Sequence, residues 1–104
     1  MITVNVLYRN SPSIKFNMNY YLDTHIGLVR KLLGAALKGV LVQQGTAGGA
    51  PGSLPEYAVI TVLSFESMEA FQKVFPPNAP AITSDIVNFT NVEPTIQYSD
   101  VRLG

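Results

Sequence analysis

The fold is decided by residues 57–65, which read YAVITVLSF. Successive side chains of a β-strand point to opposite faces of a sheet. One face therefore carries Tyr57, Val59, Thr61, Leu63 and Phe65. The other face carries Ala58, Ile60, Val62 and Ser64. Both sets are largely apolar, whereas an antiparallel strand with one solvated face alternates apolar with polar residues. The stretch predicts a strand in a sheet that is covered on both faces.

Three further strands are predicted around this one. Ile2 to Arg9 alternate with period two, and a second strand is expected over residues 36–44. The last strand is expected over residues 94–103, with a proline at its start, where the missing N–H is tolerated. Residues 45–53 carry four glycines but no Gly-Lys-Ser/Thr ending, so they predict a long hairpin tip rather than a phosphate-binding loop.

One helix is predicted between the first and second strands of the chain, and another between the third and fourth. The first is capped by Asn17 and ends at Gly34. The second is capped by Ser67 and is predicted to stop at Pro76-Pro77, because proline removes a backbone donor and clashes with the preceding turn. Residues 78–85 can add one more helical turn after this break.

The predicted order is β-α-β-β-α-β, the ferredoxin-like α+β arrangement with both helices on one face of the sheet. The other face stays bare. Hydrophobic residues make up 47% of the chain and charged residues only 13%, against about 25% in ordinary domains. We therefore expect residues 1–104 to be a single domain that pairs through its bare sheet face into a homodimer, a dimeric α+β barrel.

Composition argues against several classes of function. Seven basic and seven acidic residues cancel, and the basic residues are scattered, so no stripe for nucleic-acid phosphates is expected. There is no cysteine, which excludes disulfides and thiolate sites, and the single histidine disfavours a metal site. Without an apolar run of membrane length or a secretory pattern, we expect no membrane contact and a cytoplasmic location.

The residue most suggestive of chemistry is His25. At 100° per residue it lies near the middle of the apolar arc of the first helix and should point toward the sheet. A buried imidazole there suits general acid–base work. Periodicity alone also describes a core histidine whose ring nitrogens are hydrogen-bonded to a tyrosine or a carbonyl.

Several other side chains could share a pocket with His25. The candidates for binding a substrate are Tyr8, Tyr21, Tyr57 and Tyr98, each of which could also be a filler of the core or interface. Asp23 lies on the opposite side of the helix and cannot orient the imidazole. Asp85 could reach a pocket mouth, but a solvated acid at a helix end is the preferred interpretation. We expect a neutral ring unless a carboxylate lies beside it, with a tyrosine hydroxyl in hydrogen-bond reach.

Three segments give the chain a resemblance to the EthD-like proteins. They are Val6–Arg9, Phe16–Val29, which is similar to the family's Tyr-Tyr-x-x-x-His-x-Pro-Leu helix, and Asp85–Gln97, which is similar to its Asn-Phe-Thr stretch. The chain departs from the family at Gly27, where proline is usual. The resemblance implies a dimeric α+β barrel and a link to the breakdown of small organic compounds.

Two hypotheses of function follow. In the first, the protein is a catabolic enzyme, or an accessory to one, that acts on an apolar or aromatic compound without a cofactor, and His25 is the general acid or base. In the second, it is a non-catalytic protein that sequesters a small apolar ligand. Haem ligation through His25 is a third and weaker alternative.

Overall fold

The computed structural model describes residues 1–104, and it has the four predicted strands. They are β1 (Ile2–Arg9), β2 (Gly39–Gln44), β3 (Tyr57–Phe65) and β4 (Thr95–Asp100). The first and third have the predicted bounds, whereas the second begins three residues later than predicted, after a 3-10 turn over Gly34–Ala36, and the last is shorter than the predicted 94–103. The four strands form one sheet in the order β2-β3-β1-β4, and every neighbouring pair is antiparallel. The ferredoxin-like α+β prediction is confirmed. No helix of this structure combines the length and apolar character that crossing a bilayer requires.

The first helical run differs from the plain α-helix that was predicted. It consists of α1 (Met18–Tyr20), a π-helical segment (Tyr21–His25) and α2 (Ile26–Leu33). Asn17 caps it as predicted, because its side chain accepts a backbone N–H of the first turn at 3.0 Å. Gly34 ends it with a φ of 58°, a conformation that favours glycine.

The second helix corrects the prediction at the prolines. Ser67 caps α3 (Met68–Ser84), and its hydroxyl accepts the Ala70 N–H at 3.1 Å. The helix does not stop at Pro76-Pro77 but runs through both to Ser84. The expectation of a break there was wrong, because tertiary contacts outweigh the local cost of proline.

Two kinds of contact hold α3 together across the prolines. The Asn78 side-chain amide donates to the Val74 carbonyl at 2.7 Å and to the Leu32 carbonyl of α2 at 3.2 Å. Phe71 and Ile82, on either side of the prolines, are both buried in the same core cluster. The helix is therefore anchored to the core before and after the residues that weaken its own ladder.

The helices cover one face of the sheet only. The buried strand residues are the alternate members that point toward the helices, among them Tyr8 opposite Val59 and Val4 opposite Leu63. None of the residues on the other face is buried, and Leu41 is 55% exposed there. The structure thus leaves one sheet face without a covering layer.

Candidate functional site

A cavity of about 610 Å³ lies between the helices and the sheet. It is bordered by β1, β3 and β4, by both helical runs and by residues 90–94. Sixteen of its 23 lining residues are hydrophobic, so the cavity suits an apolar molecule. Its size falls within the roughly 300–1,000 Å³ of small-molecule sites.

His25 presents one ring nitrogen to this cavity. The residue is only 4% exposed and lines the cavity wall. Its Nδ1 lies 2.8 Å from Oδ2 of Asp85. The other ring nitrogen, Nε2, has no hydrogen-bond partner. Since every fully buried side-chain nitrogen or oxygen in the structure has a partner, Nε2 is not fully buried. It is therefore open to the cavity that His25 lines.

The π-helical segment ends at His25 and sets its surroundings. The Ile26 N–H bonds to the Tyr21 carbonyl, five residues back, which is the π pattern. The rings of Tyr21 and His25 stack with centroids 5.4 Å apart and planes 15° apart. The Phe89 ring lies 4.6 Å from the imidazole on a tilted plane. Aromatic neighbours therefore fix the ring orientation.

Asp85 is the centre of a small polar network, and its role corrects the sequence analysis. Its side chain is 13% exposed rather than solvated. Oδ1 accepts the Tyr20 hydroxyl at 2.6 Å and the Asn88 amide at 2.9 Å, while Oδ2 meets His25. Burial alone would raise the pKa of Asp85, but hydrogen bonds from Tyr20, Asn88 and His25 hold that pKa below its usual value.

The charge on Asp85 determines the direction of its bond to the imidazole. An ionised carboxylate can only accept, so Nδ1 of His25 carries the hydrogen and donates it. A neutral ring held in this way has its lone pair on Nε2, facing the cavity. The hydrogen-bond partner of His25 is thus a carboxylate, whereas a tyrosine hydroxyl was predicted. The prediction of a neutral ring was conditional on no carboxylate lying beside it, and Asp85 removes that condition.

Of the four predicted tyrosines, three line the cavity. Tyr8 and Tyr21 lie in its wall, and the Tyr21 hydroxyl is 2.6 Å from the Thr61 hydroxyl. Burial raises the pKa of both phenols, so both keep their protons at neutral pH. Tyr98 is at the rim and 52% exposed. Tyr57 lies outside the cavity, where the Arg9 guanidinium sits 5.1 Å from the centre of its ring.

Tyr20 and Phe89 were not among the predicted site residues, and Asp85 was considered but interpreted as a solvated acid. All three depend on the segment that follows α3, which is folded back against the start of the first helical run. There the Asn17 N–H donates to the Phe89 carbonyl at 2.7 Å, and the Thr90 hydroxyl donates to the Lys15 carbonyl at 2.6 Å. The available signals lay in the family resemblance, because Tyr20 is the first tyrosine of the Tyr-Tyr-x-x-x-His helix and the segment that carries the Asn-Phe-Thr stretch begins at Asp85.

Comparison with known proteins agrees with this architecture. The sequence profile of the EthD domain matches residues 15–93. The crystal structure of an EthD-like protein from Ralstonia eutropha JMP134 is 32% identical, with a TM-score of 0.93 over 98% of this chain and 92% of that one. No functionally curated protein matches the sequence.

More distant structures share the fold. An ethyl tert-butyl ether family (EthD) protein from Bacillus halodurans C-125 is 18% identical, with a TM-score of 0.73 over 97% of this chain and 98% of that one. A dimeric ferredoxin-like protein of unknown function from Thermobifida fusca YX is 17% identical, with a TM-score of 0.58 over 96% and 90% of the two chains. Since the domain profile covers most of the sequence and the Ralstonia protein matches nearly its full length, the chain belongs to the EthD family.

Proposed function

We propose that this protein is a small-molecule enzyme of organic-compound catabolism in which His25 transfers a proton without a cofactor. The observation that carries the proposal is the different environment of the two nitrogens of the His25 imidazole. Nδ1 is held by an ionised carboxylate, while Nε2 opens on an apolar cavity. The family's name, from ethyl tert-butyl ether degradation, favours a catabolic role.

The arrangement suits a general base. Asp85 orients the imidazole through Nδ1–H and leaves the Nε2 lone pair free for a proton from the bound compound. When Nε2 takes that proton, the ring becomes cationic beside the carboxylate, and the pair is then an ion pair in a largely apolar site. The same ring can return the proton to another atom of the substrate. Tyr8 and Tyr21 are neutral hydroxyls in the same wall that can orient the compound.

The proposal can be tested with 5-nitrobenzisoxazole, an uncharged aromatic probe. Removal of its C–H proton by a base breaks the N–O bond and releases a coloured phenolate, with no oxidant or cofactor required. We expect the wild-type protein to accelerate this elimination over buffer, and His25→Gln to abolish the acceleration while the probe still binds. Asp23→Asn is the matched control, because this acid of the same helical run is exposed and the carboxylate bonded to His25 is that of Asp85.

The outcomes separate the two hypotheses of function. A rate that depends on His25, with binding unchanged in His25→Gln, supports proton transfer. Saturable binding of the probe with no acceleration by the wild-type protein would instead favour the alternative, a protein that sequesters apolar ligands. In that case His25 would be only a hydrogen-bonding group of the wall.

We further propose that the protein works as a homodimer closed through the bare sheet face. The apolar part of this face consists of Leu7, Leu41, Ile60 and Val62 on three adjacent strands. The Thermobifida fusca neighbour is described as dimeric. Two such faces packed across a two-fold axis would give each sheet the second covering layer that the apolar pattern of β3 requires.

A further inference from the structure

The cavity lining contains no lysine or arginine side chain, although the chain has seven such residues. Apart from His25, the lining includes one ionisable group of full charge, the carboxylate of the exposed Glu93 at the rim. A second carboxylate, that of Asp85, is bonded to the imidazole of His25 through Nδ1. A carboxylate or phosphate ligand would lose its hydration here without gaining a lysine or arginine partner, and the one group that can become cationic, His25, is already bonded to the Asp85 carboxylate.

The cavity does carry one hydrogen-bond donor that the protein leaves unused. Tyr21 and Thr61 are 2% and 1% exposed, and their hydroxyl oxygens lie 2.6 Å apart, so one hydroxyl donates to the other. The hydroxyl that accepts keeps its own proton without an acceptor. A hydrogen bond between the Tyr8 and Tyr21 hydroxyls works against the effect of burial on the pKa of Tyr21. Three hydroxyls in a chain have three protons but form only two hydrogen bonds, so one donor is still unused. These residues line the cavity, as does His25.

From these two observations we propose that the occupant is an uncharged ketone with an acidic C–H bond next to its carbonyl. This inference rests on the proposed proton transfer by His25 and names its substrate class. The carbonyl oxygen accepts the free O–H of the Tyr21–Thr61 pair, and the adjacent C–H faces Nε2 of His25. An apolar ring system fills the rest of the cavity, whose lining is mainly aliphatic and aromatic.

The step is balanced without an added reagent. Nε2 of His25 takes the proton, the C–H electron pair moves to form the C=C bond of an enolate, and the carbonyl π electrons move onto oxygen. The hydroxyl pair donates to that oxygen more strongly as its charge develops, which stabilises the transition state. The imidazolium then returns the proton to the same carbon or to a conjugated one. The outcome is exchange or isomerisation with no net oxidation.

Three bicyclic probes of similar size test the class. They are 2-tetralone, which is a ketone, tetralin, which lacks the oxygen, and 2-naphthoate, which is an anion. We expect the protein to bind 2-tetralone in calorimetry and to accelerate exchange of its C1 hydrogens in D₂O. We expect 2-naphthoate to bind on the order of tenfold more weakly or worse, because nothing compensates its desolvation. Equal or tighter binding of 2-naphthoate would overturn the uncharged class.

Variants of the hydroxyl pair test the oxygen anchor. Tyr21→Phe and Thr61→Val each leave one hydroxyl that can still donate but remove the bond that orients it, so we expect each to slow exchange by about three- to tenfold. The double variant, built in a Tyr8→Phe background so that the third hydroxyl of the chain cannot replace the pair, removes both donors, and we expect a loss on the order of a hundredfold with tetralin binding unchanged. Unchanged exchange in the double variant would overturn the anchor. If the double variant does not fold, unchanged exchange in both single variants would equally overturn the anchor.

A charge placed at the rim provides a gain-of-function check. Ile96 lines the cavity on β4 and is 45% exposed. Ile96→Lys should raise the affinity for 2-naphthoate at least about fivefold and leave tetralin nearly unchanged. No gain would contradict the account of why anions are rejected. His25-dependent elimination of 5-nitrobenzisoxazole without binding of 2-tetralone would defeat this inference alone, whereas failure of both would defeat the proposed function.

Discussion

The proposed role of His25 depends on the different surroundings of its two ring nitrogens. A lone histidine in an apolar stripe is ordinarily a core residue with both nitrogens hydrogen-bonded. Here one nitrogen is bonded to Asp85 and the other opens on the apolar cavity. That asymmetry, rather than burial by itself, is what distinguishes a proton-transfer group from a structural one.

Asp85 should act on catalysis through the imidazole without touching the substrate. In Asp85→Asn, the amide can donate to Nδ1 and would favour the tautomer that carries its hydrogen on Nε2. We expect the His25-dependent elimination rate to fall by about 10- to 100-fold, with little change in probe affinity. Equal losses in kcat/KM and in probe binding would instead indicate that Asp85 merely maintains the shape of the cavity.

The Asp85 network should also contribute stability in a defined pH range. The folded pKa of Asp85 is lowered below its usual 3.8. A lowered carboxyl pKa gives stabilisation that is fully present above the unfolded value and is lost as pH falls through the folded one. We expect wild type and Asp85→Asn to differ most in free energy of unfolding at neutral pH, and to converge below about pH 4. A constant difference down to about pH 2 would contradict this.

At the scale of elements, Gly27 is a helical glycine whose position has neither a positive φ nor a close neighbour that would require glycine. It lies in α2, just after the π-helical segment, and a Cβ built on it would meet nothing within 4 Å. Gly27→Ala should therefore raise the free energy of unfolding by about 0.5–1 kcal/mol, measured by denaturant titration.

Gly34 is the matched control, since its surroundings are equally open but its φ is 58°. Gly34→Ala should destabilise the protein, because the backbone conformation rather than space is limiting. Destabilisation in both variants would mean that residues around Gly27 are packed more tightly than the structure has them.

At the scale of the molecule, the single chain is flat, and one face of its sheet is not covered by helices. Its shortest dimension is 19 Å, and only 16 of 104 residues are buried. Its radius of gyration is 14.2 Å, against about 13 Å for a compact chain of this length. These values are consistent with a subunit whose bare sheet face is covered by a second copy.

Dimerisation predicts a specific effect of charge on that face. Ile60 is at its apolar centre on β3, so Ile60→Asp should convert a dimer into monomer in light scattering at micromolar concentration. Leu22→Asp is the control, because Leu22 is 47% exposed on the helical side of the molecule. A wild-type protein that is already monomeric, or an Ile60→Asp variant that stays dimeric, would contradict the proposed interface. The expected interface buries roughly 2,000 Å² or more.

The sequence predicted what local pattern controls and failed where distant segments meet. The limits of β3 and the caps at Asn17 and Ser67 follow from period and side-chain chemistry, and the structure has them in place. The passage of α3 through Pro76-Pro77 depends on contacts with another helix. The pairing of Asp85 with His25 joins residues 60 positions apart, which no spacing rule on either helix could reveal.

The most direct test of the central claim is the tautomer of His25, read from the ¹⁵N shifts of labelled histidine. The chain has one histidine, so the spectrum contains one imidazole. At a pH high enough to leave the ring neutral, we predict that Nδ1 carries the hydrogen and that the Nε2 resonance moves when 2-tetralone is added. Hydrogen on Nε2, or an Nε2 resonance that no apolar ligand shifts, would contradict the claim that this atom faces the cavity as the proton acceptor.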